Sequence, residues 1–379
     1  MPPSLVDPPK KVLFVIGTRP EAIKLCPVIR AFRETGGFQV LVCLTAQHRK
    51  MLDQVLAAFH VVFDEDLDLM QPGQTLPQTT ARIIAALEPV LARHRPDLVI
   101  VQGDTTTTLC GALAAFYANI PVAHVEAGLR TGDLRQPFPE EMNRVLVTRL
   151  STIHFAATPA AAENLRAEGV PDASIFVTGN SGIDAVLQVD GWLARGEISP
   201  PIVPALDPHR HLILVTAHRR ESFGEPLRNI CAALLKLAER EDVQVVYPVH
   251  PNPNVSGPVR RQLGQHPRIL LTEPLDYISF VALMRRAHVL LTDSGGIQEE
   301  GPSLGKPVLV MREKTERPEG VLAGTAVVVG CDSPRIVDAV RLLLEDPVEY
   351  QRRARIHNPY GDGQASRRMV QAVERFFAR

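Results

Sequence analysis

Short apolar runs alternate along the chain with longer stretches whose apolar residues recur every three or four positions. The short runs fall at 12–16, 39–44, 98–101, 122–125, 153–156 and 175–177 in the first half. In the second half they fall at 212–215, 243–248, 269–271, 289–291, 308–311 and 326–329. The longer stretches include 21–35, 51–59, 78–94, 107–118 and 227–241. A strand that is apolar on both faces lies between two layers of helices, so the alternation predicts buried parallel sheets. It pauses over 191–210, where Gly191, Gly196, Pro200, Pro201, Pro204 and Pro208 interrupt any helical period. That stretch reads as a linker between two doubly wound, Rossmann-like α/β domains, 1–190 and 191–365. A last helix is expected over 366–379, entered through a sharp turn at 359–363.

Composition narrows the function classes. The chain has 379 residues, 45% hydrophobic and 22% charged, with a net charge of −1. No overall field draws it to nucleic acid or a membrane, so an anionic ligand must be held by local charge. Five cysteines are far apart and form no C-x-x-C pair, which suggests neither a zinc site nor a disulfide framework and fits a reducing compartment. The first residues are proline-rich and no apolar run is long enough to span a bilayer. The expectation is a cytoplasmic protein with no metal.

Ligands of open α/β sheets sit beyond the carboxyl ends of the strands, so the polar residues that follow each apolar run matter most. After the first run comes GTRPEAIK at 17–24. Gly17 suits a tight turn, Pro20 a first helical turn, and Arg19 and Lys24 add charge where a helix N-terminus could hold an anion. The segment is neither a Walker loop nor a dinucleotide fingerprint, and it also reads as a plain strand-to-helix turn with basic residues. After 98–101 come Gly103, Asp104 and four threonines, with Asp104 either functional or only a helix cap. After 122–125 come Glu126 and then PEEMNR at 139–144. Asp104, Glu126 and the Glu140/Glu141 pair thus converge on one sheet edge, where burial would shift proton affinities as acid–base work requires. A helix starting at Pro139 would set Glu140 and Arg144 on one face, either as site residues or as a surface ion pair.

In the second half His218 and two arginines follow a buried strand, a setting for phosphate recognition or proton transfer. His250 follows another, with a structural role as its first reading. The most specific stretch is TDSGGIQEE at 292–300. Ser294, Gly295 and Gly296 offer backbone N–H groups and close approach to a diphosphate, and Glu300 could accept from ribose hydroxyls. Arg317 offers a further cation at that edge.

Taken together, GTRPEAIK, TAQH at 45–48, GDTTTT at 103–108, HVEAGLRTGD at 124–133, PEEMNR, HRRES at 218–222, DSGGIQEEGPSLG at 293–305, ERPE at 316–319 and NPYGDG at 358–363 resemble the bacterial non-hydrolysing UDP-N-acetylglucosamine 2-epimerases. The resemblance runs over nearly the whole chain. It implies a GT-B-type architecture with the active site in an interdomain cleft, a homodimer, a UDP-sugar substrate and no cofactor. The last helix would return to the first domain. Asp104, Glu126 and Glu140 would match catalytic acidic residues and His218 an active-site histidine. Arg19, Lys24 and Arg144 would match substrate-side cations. Ser294, Gly295, Gly296, Glu300 and Arg317 would match UDP contacts. Gln47 and His48 resemble part of a second, activating UDP-sugar site of some relatives. Ahead of Gln74–Thr75–Leu76 some members carry a basic residue where this chain has Gly73.

The chemistry fits a cluster of acids. The C2 proton of a 2-acetamido sugar is not next to a carbonyl carbon, so simple deprotonation is hard. Elimination of UDP to 2-acetamidoglucal and re-addition needs one acid–base group on each face of C2 and cations for the leaving diphosphate. Four other readings stay open: a GT-B glycosyltransferase, a hydrolysing epimerase, a 2-epimerase of a modified UDP-2-acetamido sugar, and a non-catalytic nucleotide-sugar sensor, disfavoured because every candidate acid is present.

Overall fold

The computed structural model describes residues 8–45, 49–71, 73–202 and 204–378. The chain divides into two compact units, Met1–Ala185 with Gly361–Arg379, and Val186–Tyr360.

The first unit runs β1 (Lys10–Ile16), α1 (Arg19–Thr35), β2 (Phe38–Leu44), α2 (Arg49–Ala58), β3 (Glu65–Asp66), α3 (Leu76–His94), β4 (Leu98–Gln102), α4 (Thr106–Tyr117), β5 (Val122–Ala127), α5 (Glu140–Leu150), β6 (Ile153–Ala156), α6 (Pro159–Ala167) and β7 (Ile175–Val177). Helix α7 (Ser181–Arg195) follows. The seven strands form one sheet in the order β3-β2-β1-β4-β5-β6-β7, each pair parallel. Val12, Leu13, Phe14 and Ile16 are fully buried because helices cover both faces. Each such apolar side chain contributes about 1.5–3 kcal/mol on leaving water.

The second unit runs β8 (His211–Thr216), α8 (Glu225–Ala238), β9 (Val243–Pro248), α9 (Pro253–Leu263), β10 (Ile269–Thr272), α10 (Tyr277–Arg286), β11 (Val289–Thr292), α11 (Gly295–Glu300), β12 (Val308–Val310), α12 (Pro318–Ala323), β13 (Ala326–Val328), α13 (Ser333–Glu345) and α14 (Pro347–Ala354). Its six parallel strands take the order β10-β9-β8-β11-β12-β13.

Both sheets are therefore of the doubly wound, Rossmann-like kind. The order reverses between β1 and β4 in the first and between β8 and β11 in the second, which opens a crevice at the carboxyl ends of those strands. The loops after these four strands carry GTRPE, GDTTTT, HRRES and DSGG.

Helix α15 (Ala365–Phe377) packs on α1 and completes the first unit. Its first turn has no side-chain cap of its own. Asp184, on α7, supplies one, accepting from the N–H groups of Ala365 at 3.2 Å and Ser366 at 2.8 Å. Burial pushes the Asp184 carboxyl above its usual range against those hydrogen bonds.

Two expectations change. The presumed linker begins inside a helix, since α7 runs through Gly191 to Arg195 and the boundary between the units falls within it. A helix tolerates one glycine at a cost of about 1 kcal/mol. The edge strand β3 was not expected, because two charged residues carry no apolar period. No helix among the described residues is long and apolar enough to cross a membrane.

Candidate active site

The first unit gathers its expected residues around the β1/β4 switch point and the neighbouring β5. Thr18 caps α1 by accepting from the Glu21 N–H, while the Glu21 side chain folds back to the cap. Gly17 is required for packing and not for turning: a Cβ there would lie 2.1 Å from Thr107 Oγ1 and 2.8 Å from Thr45 Oγ1. The Glu21 carboxylate is buried. It accepts from the Gly17 N–H at 2.6 Å and the Thr105 hydroxyl at 2.6 Å, tying the loop after β1 to the loop after β4. Burial pushes its proton affinity up to about 7, although each hydrogen bond pulls the other way. Arg19 is the first residue of α1 and half-buried.

Lys24 points from α1 to Glu126, with Nζ 2.6 Å from both carboxylate oxygens. The Gln102 amide donates to Glu126 Oε2 at 2.5 Å. Glu126 sits at φ 68°, and the β5–β6 register shifts between Val125 and Ala127. A left-handed glutamate costs about 1–3 kcal/mol and persists only where its surroundings enforce it. Here the kink turns the side chain back to Lys24 and Gln102.

Asp104 follows β4, and Thr105, not Asp104, is the side-chain cap of α4. The Arg144 guanidinium holds Asp104 Oδ2 at 2.7 Å through Nη2 and 2.9 Å through Nε. Its Nη1 holds Glu141 Oε2 at 2.9 Å. Glu141 also accepts from the N–H groups of Thr131 and Gly132 at 2.9 and 3.1 Å. Burial alone would raise the Glu141 proton affinity, but these donors and Arg144 hold it below the usual carboxylate range. The expected Glu140–Arg144 pairing is thus replaced: Arg144 turns to Asp104 and Glu141, and Glu140 begins the helix half-buried. His124 is fully buried, its Nε2 2.7 Å from the Gly103 carbonyl; burial lowers its pKa to about 4, so it is a neutral prop for the Asp104 turn.

The second unit gathers the others around the β8/β11 switch point. Asp293, fully buried after β11, accepts through Oδ2 from the N–H groups of His218 and Arg219, both at 2.7 Å. The rings of His218 and His250 stack, 5.5 Å apart at 13°. Burial lowers the His218 pKa, Arg219 and His250 add to this, and Asp293 opposes it. Arg219 and Arg220 are exposed.

Ser294 is the N-cap of α11 and makes no side-chain cap, so the first-turn amides of this glycine-led helix have no side-chain acceptor there. Gly295 admits the Arg317 guanidinium, which would lie 3.7 Å from a Cβ. Arg317 forms an ion pair with Glu299 through Nε. Glu300 ends α11, half-buried. Asn358 and Tyr360, from the NPYGDG motif, brace this loop. The Asn358 amide donates to the Glu299 carbonyl at 2.7 Å, and the Tyr360 hydroxyl accepts from the Gly320 N–H at 2.9 Å.

In the first unit, then, Lys24 meets Glu126 and Arg144 meets Asp104. In the second, His218 lies beside the Ser294–Gly296 loop through Asp293, and Arg317 lies over Gly295. Glu141 was expected at this edge as one of the Glu140/Glu141 pair, whereas the roles of Glu21, Gln102 and Asp293 were not expected from the sequence. The T-x-x-E capping-box spacing of Thr18 and Glu21 was a signal for Glu21; the other two carry none. Gln47 and His48 lie outside the described residues. No group of three or more His, Cys, Asp or Glu side chains that could hold a metal occurs among the described residues.

A profile described as UDP-N-acetylglucosamine 2-epimerase matches residues 30–374. The chain is similar to the UDP-N-acetylglucosamine 2-epimerase of Salmonella typhimurium, 55% identical over 97% of this chain and 99% of that protein. It is similar to the crystal structure of the Neisseria meningitidis UDP-GlcNAc 2-epimerase bound to UDP-GlcNAc, with TM-score 0.89 and 46% identity over 96% of this chain and all of that one. It is also similar to the Methanocaldococcus jannaschii UDP-GlcNAc 2-epimerase in complex with UDP-GlcNAc and UDP, with TM-score 0.78 and 32% identity over 96% of this chain and 99% of that one. An array of ion-paired acids at one switch point, a glycine-led loop beside a histidine at the other, and near-full-length identity to these enzymes lead to one conclusion: the chain belongs to the UDP-N-acetylglucosamine 2-epimerase family and is an epimerase.

Proposed function

We propose that the protein interconverts UDP-GlcNAc and UDP-ManNAc without hydrolysis, by eliminating UDP and adding it back. The observation that carries this reading is the pair of acids in the first unit, Asp104 and Glu126, each held by its own cation and each at the end of an adjacent strand. Complexes of relatives with UDP-GlcNAc and UDP support the substrate class.

In the forward step a carboxylate takes the C2 proton while the C1–O bond breaks and its electron pair leaves with the diphosphate. The C1=C2 double bond forms, giving 2-acetamidoglucal and UDP. In the return step a diphosphate oxygen bonds to C1 and the second carboxyl group delivers a proton to the other face of C2. We assign Asp104 and Glu126 to C2, with Glu140 assisting. Arg19, Lys24 and Arg144 supply positive charge on the sugar and diphosphate side, where it stabilises the leaving group. In the second unit the N–H groups after Ser294 take the diphosphate with His218, Glu300 takes the ribose, and Arg317, anchored by Glu299, closes the loop. No step needs a redox cofactor, because C2 is inverted through loss and return of a proton.

The same reading makes the protein a homodimer. Phe116 and Tyr117, 54% and 68% exposed at the end of α4, and the groove beside Tyr117 lined by Ile84, Leu91 and Ile120 with Glu88 and Arg95, provide a face for a second copy.

Incubation with UDP-GlcNAc alone, followed by NMR, tests the function. The reading requires UDP-ManNAc in equilibrium with substrate. Free ManNAc with UDP would make the enzyme a hydrolysing one, and no reaction without an acceptor would favour a glycosyltransferase.

A further inference from the structure

The loop after β8 ends on His218, and what orients it is a carboxylate from another strand. Asp293 comes from the first residue after β11 and has no solvent exposure. Its Oδ2 is occupied by the two backbone N–H groups of His218 and Arg219. Its Oδ1 is buried without a hydrogen-bond partner and lies 3.4 Å from His218 Nδ1. A buried carboxylate oxygen without a donor is costly, and an Nδ1–H on this ring is a donor placed to reach it. The loop is held from a third strand as well, since the Tyr247 hydroxyl on β9 donates to the Ala217 carbonyl at 2.7 Å. The other side of the ring faces the stacked His250, and its neighbour in sequence is Arg219.

We propose that Asp293 is a positioning residue that fixes His218 as the Nδ1–H tautomer, leaving Nε2 as its outward, proton-accepting or ligand-facing atom. This deepens the proposed function, in which His218 acts at the diphosphate, and rests on that reading. The physical reason is the same that governs any imidazole: the partner of one ring nitrogen decides the state of the other. Asp293 does a second job with the same carboxylate. Because Ser294–Gly295–Gly296 begins one residue later, the group that sets the ring also sets where the diphosphate loop starts. Burial first, then Arg219 and His250, disfavour the imidazolium more than Asp293 favours it, so the ring is held toward its neutral form, in which one nitrogen carries the proton and the other accepts.

Asp293→Asn separates orientation from folding. Its Oδ1 can still accept both backbone N–H groups. Its NH2 would then face His218 and donate to Nδ1, which selects the Nε2–H tautomer. Long-range 1H–15N correlation spectra of the full chain labelled on histidine read the tautomer directly, with His218→Gln assigning the signal. The expected result is Nδ1–H in the parent and Nε2–H in Asp293→Asn, with kcat falling by about 10²-fold, the low end of what a general acid–base group contributes, and KM little changed. The same tautomer in both proteins, or Nε2–H in the parent, overturns the proposal. Should the variant not fold, the parent spectrum alone decides between the two. The tautomer is read without turnover, so it stands or fails separately from the identity of the substrate, which product analysis of the parent tests.

Discussion

Replacing Glu21 with Gln should change how stability depends on pH, with a sign and size that follow from its surroundings. The carboxyl group ionises near 4.5 when unfolded, and burial holds it protonated up to about 7 in the folded chain. Below 4.5 both states carry the proton and the group is neutral for stability. Between 4.5 and 7 the folded state keeps a proton that the unfolded state gives up, so stability falls as pH rises and levels off above 7. The total is about 3 kcal/mol, at about 1.4 kcal/mol for each tenfold change in proton affinity. Glutamine copies the neutral acid: its carbonyl accepts from the Gly17 N–H and its NH2 donates to Thr105 Oγ1. It cannot titrate. The unfolding free energy of Glu21→Gln minus that of the parent should therefore rise by about 3 kcal/mol between pH 4.5 and pH 8. Urea unfolding followed by circular dichroism at a series of pH values measures the difference, and hydrogen exchange over residues 10–35 assigns it to the first unit. A difference that is flat with pH, or that falls as pH rises, would refute the assignment of Glu21 as a buried neutral acid.

Other substitutions test separate parts of the site. Gly17→Ala forces a methyl group against Thr107 and Thr45 and should lower stability by about 1–3 kcal/mol in thermal unfolding; an unchanged midpoint would contradict the packing argument. Asp184→Ala leaves the first turn of α15 without its acceptor and should cost about 1–2 kcal/mol, seen as faster exchange of the Ala365 and Ser366 amides while β4 and β5 stay protected. Lys24→Met removes the counter-charge of Glu126 and should lower kcat/KM by about 10²-fold or more with the circular dichroism spectrum unchanged; activity within a few-fold of the parent would take Lys24 out of the substrate side.

Much of this architecture is legible in the sequence because a parallel sheet buried on both faces leaves a nearly continuous apolar run for each strand. Runs such as 153–156 and 243–248 coincide with β6 and β9, and the residues after each run fall at the carboxyl edge by topology alone. What spacing could not decide is which charges meet. Glu140 and Glu141 are both within reach of Arg144 along a helix, and the loop amides of Thr131 and Gly132 draw Glu141 inward. Arg317 and Glu299 are eighteen positions apart, joined because the start of α12 packs against α11 at Gly295. Nothing in Val-Glu-Ala marks Glu126 for a left-handed backbone, since the bulge that demands it is a property of the β5–β6 pairing. A register shift of one residue is a tertiary event, and local propensity does not see it.

The most direct measurement is solvent exchange at C2. UDP-GlcNAc is incubated in D2O with the parent and with Asp104→Asn, and deuterium at C2 is followed by NMR. The parent should incorporate one deuterium at C2 of both epimers, and Asp104→Asn should slow this by about 10² to 10⁴-fold. Full epimerisation by the parent with the C2 proton retained, or an unchanged exchange rate in Asp104→Asn, would contradict proton transfer at C2 by this acid.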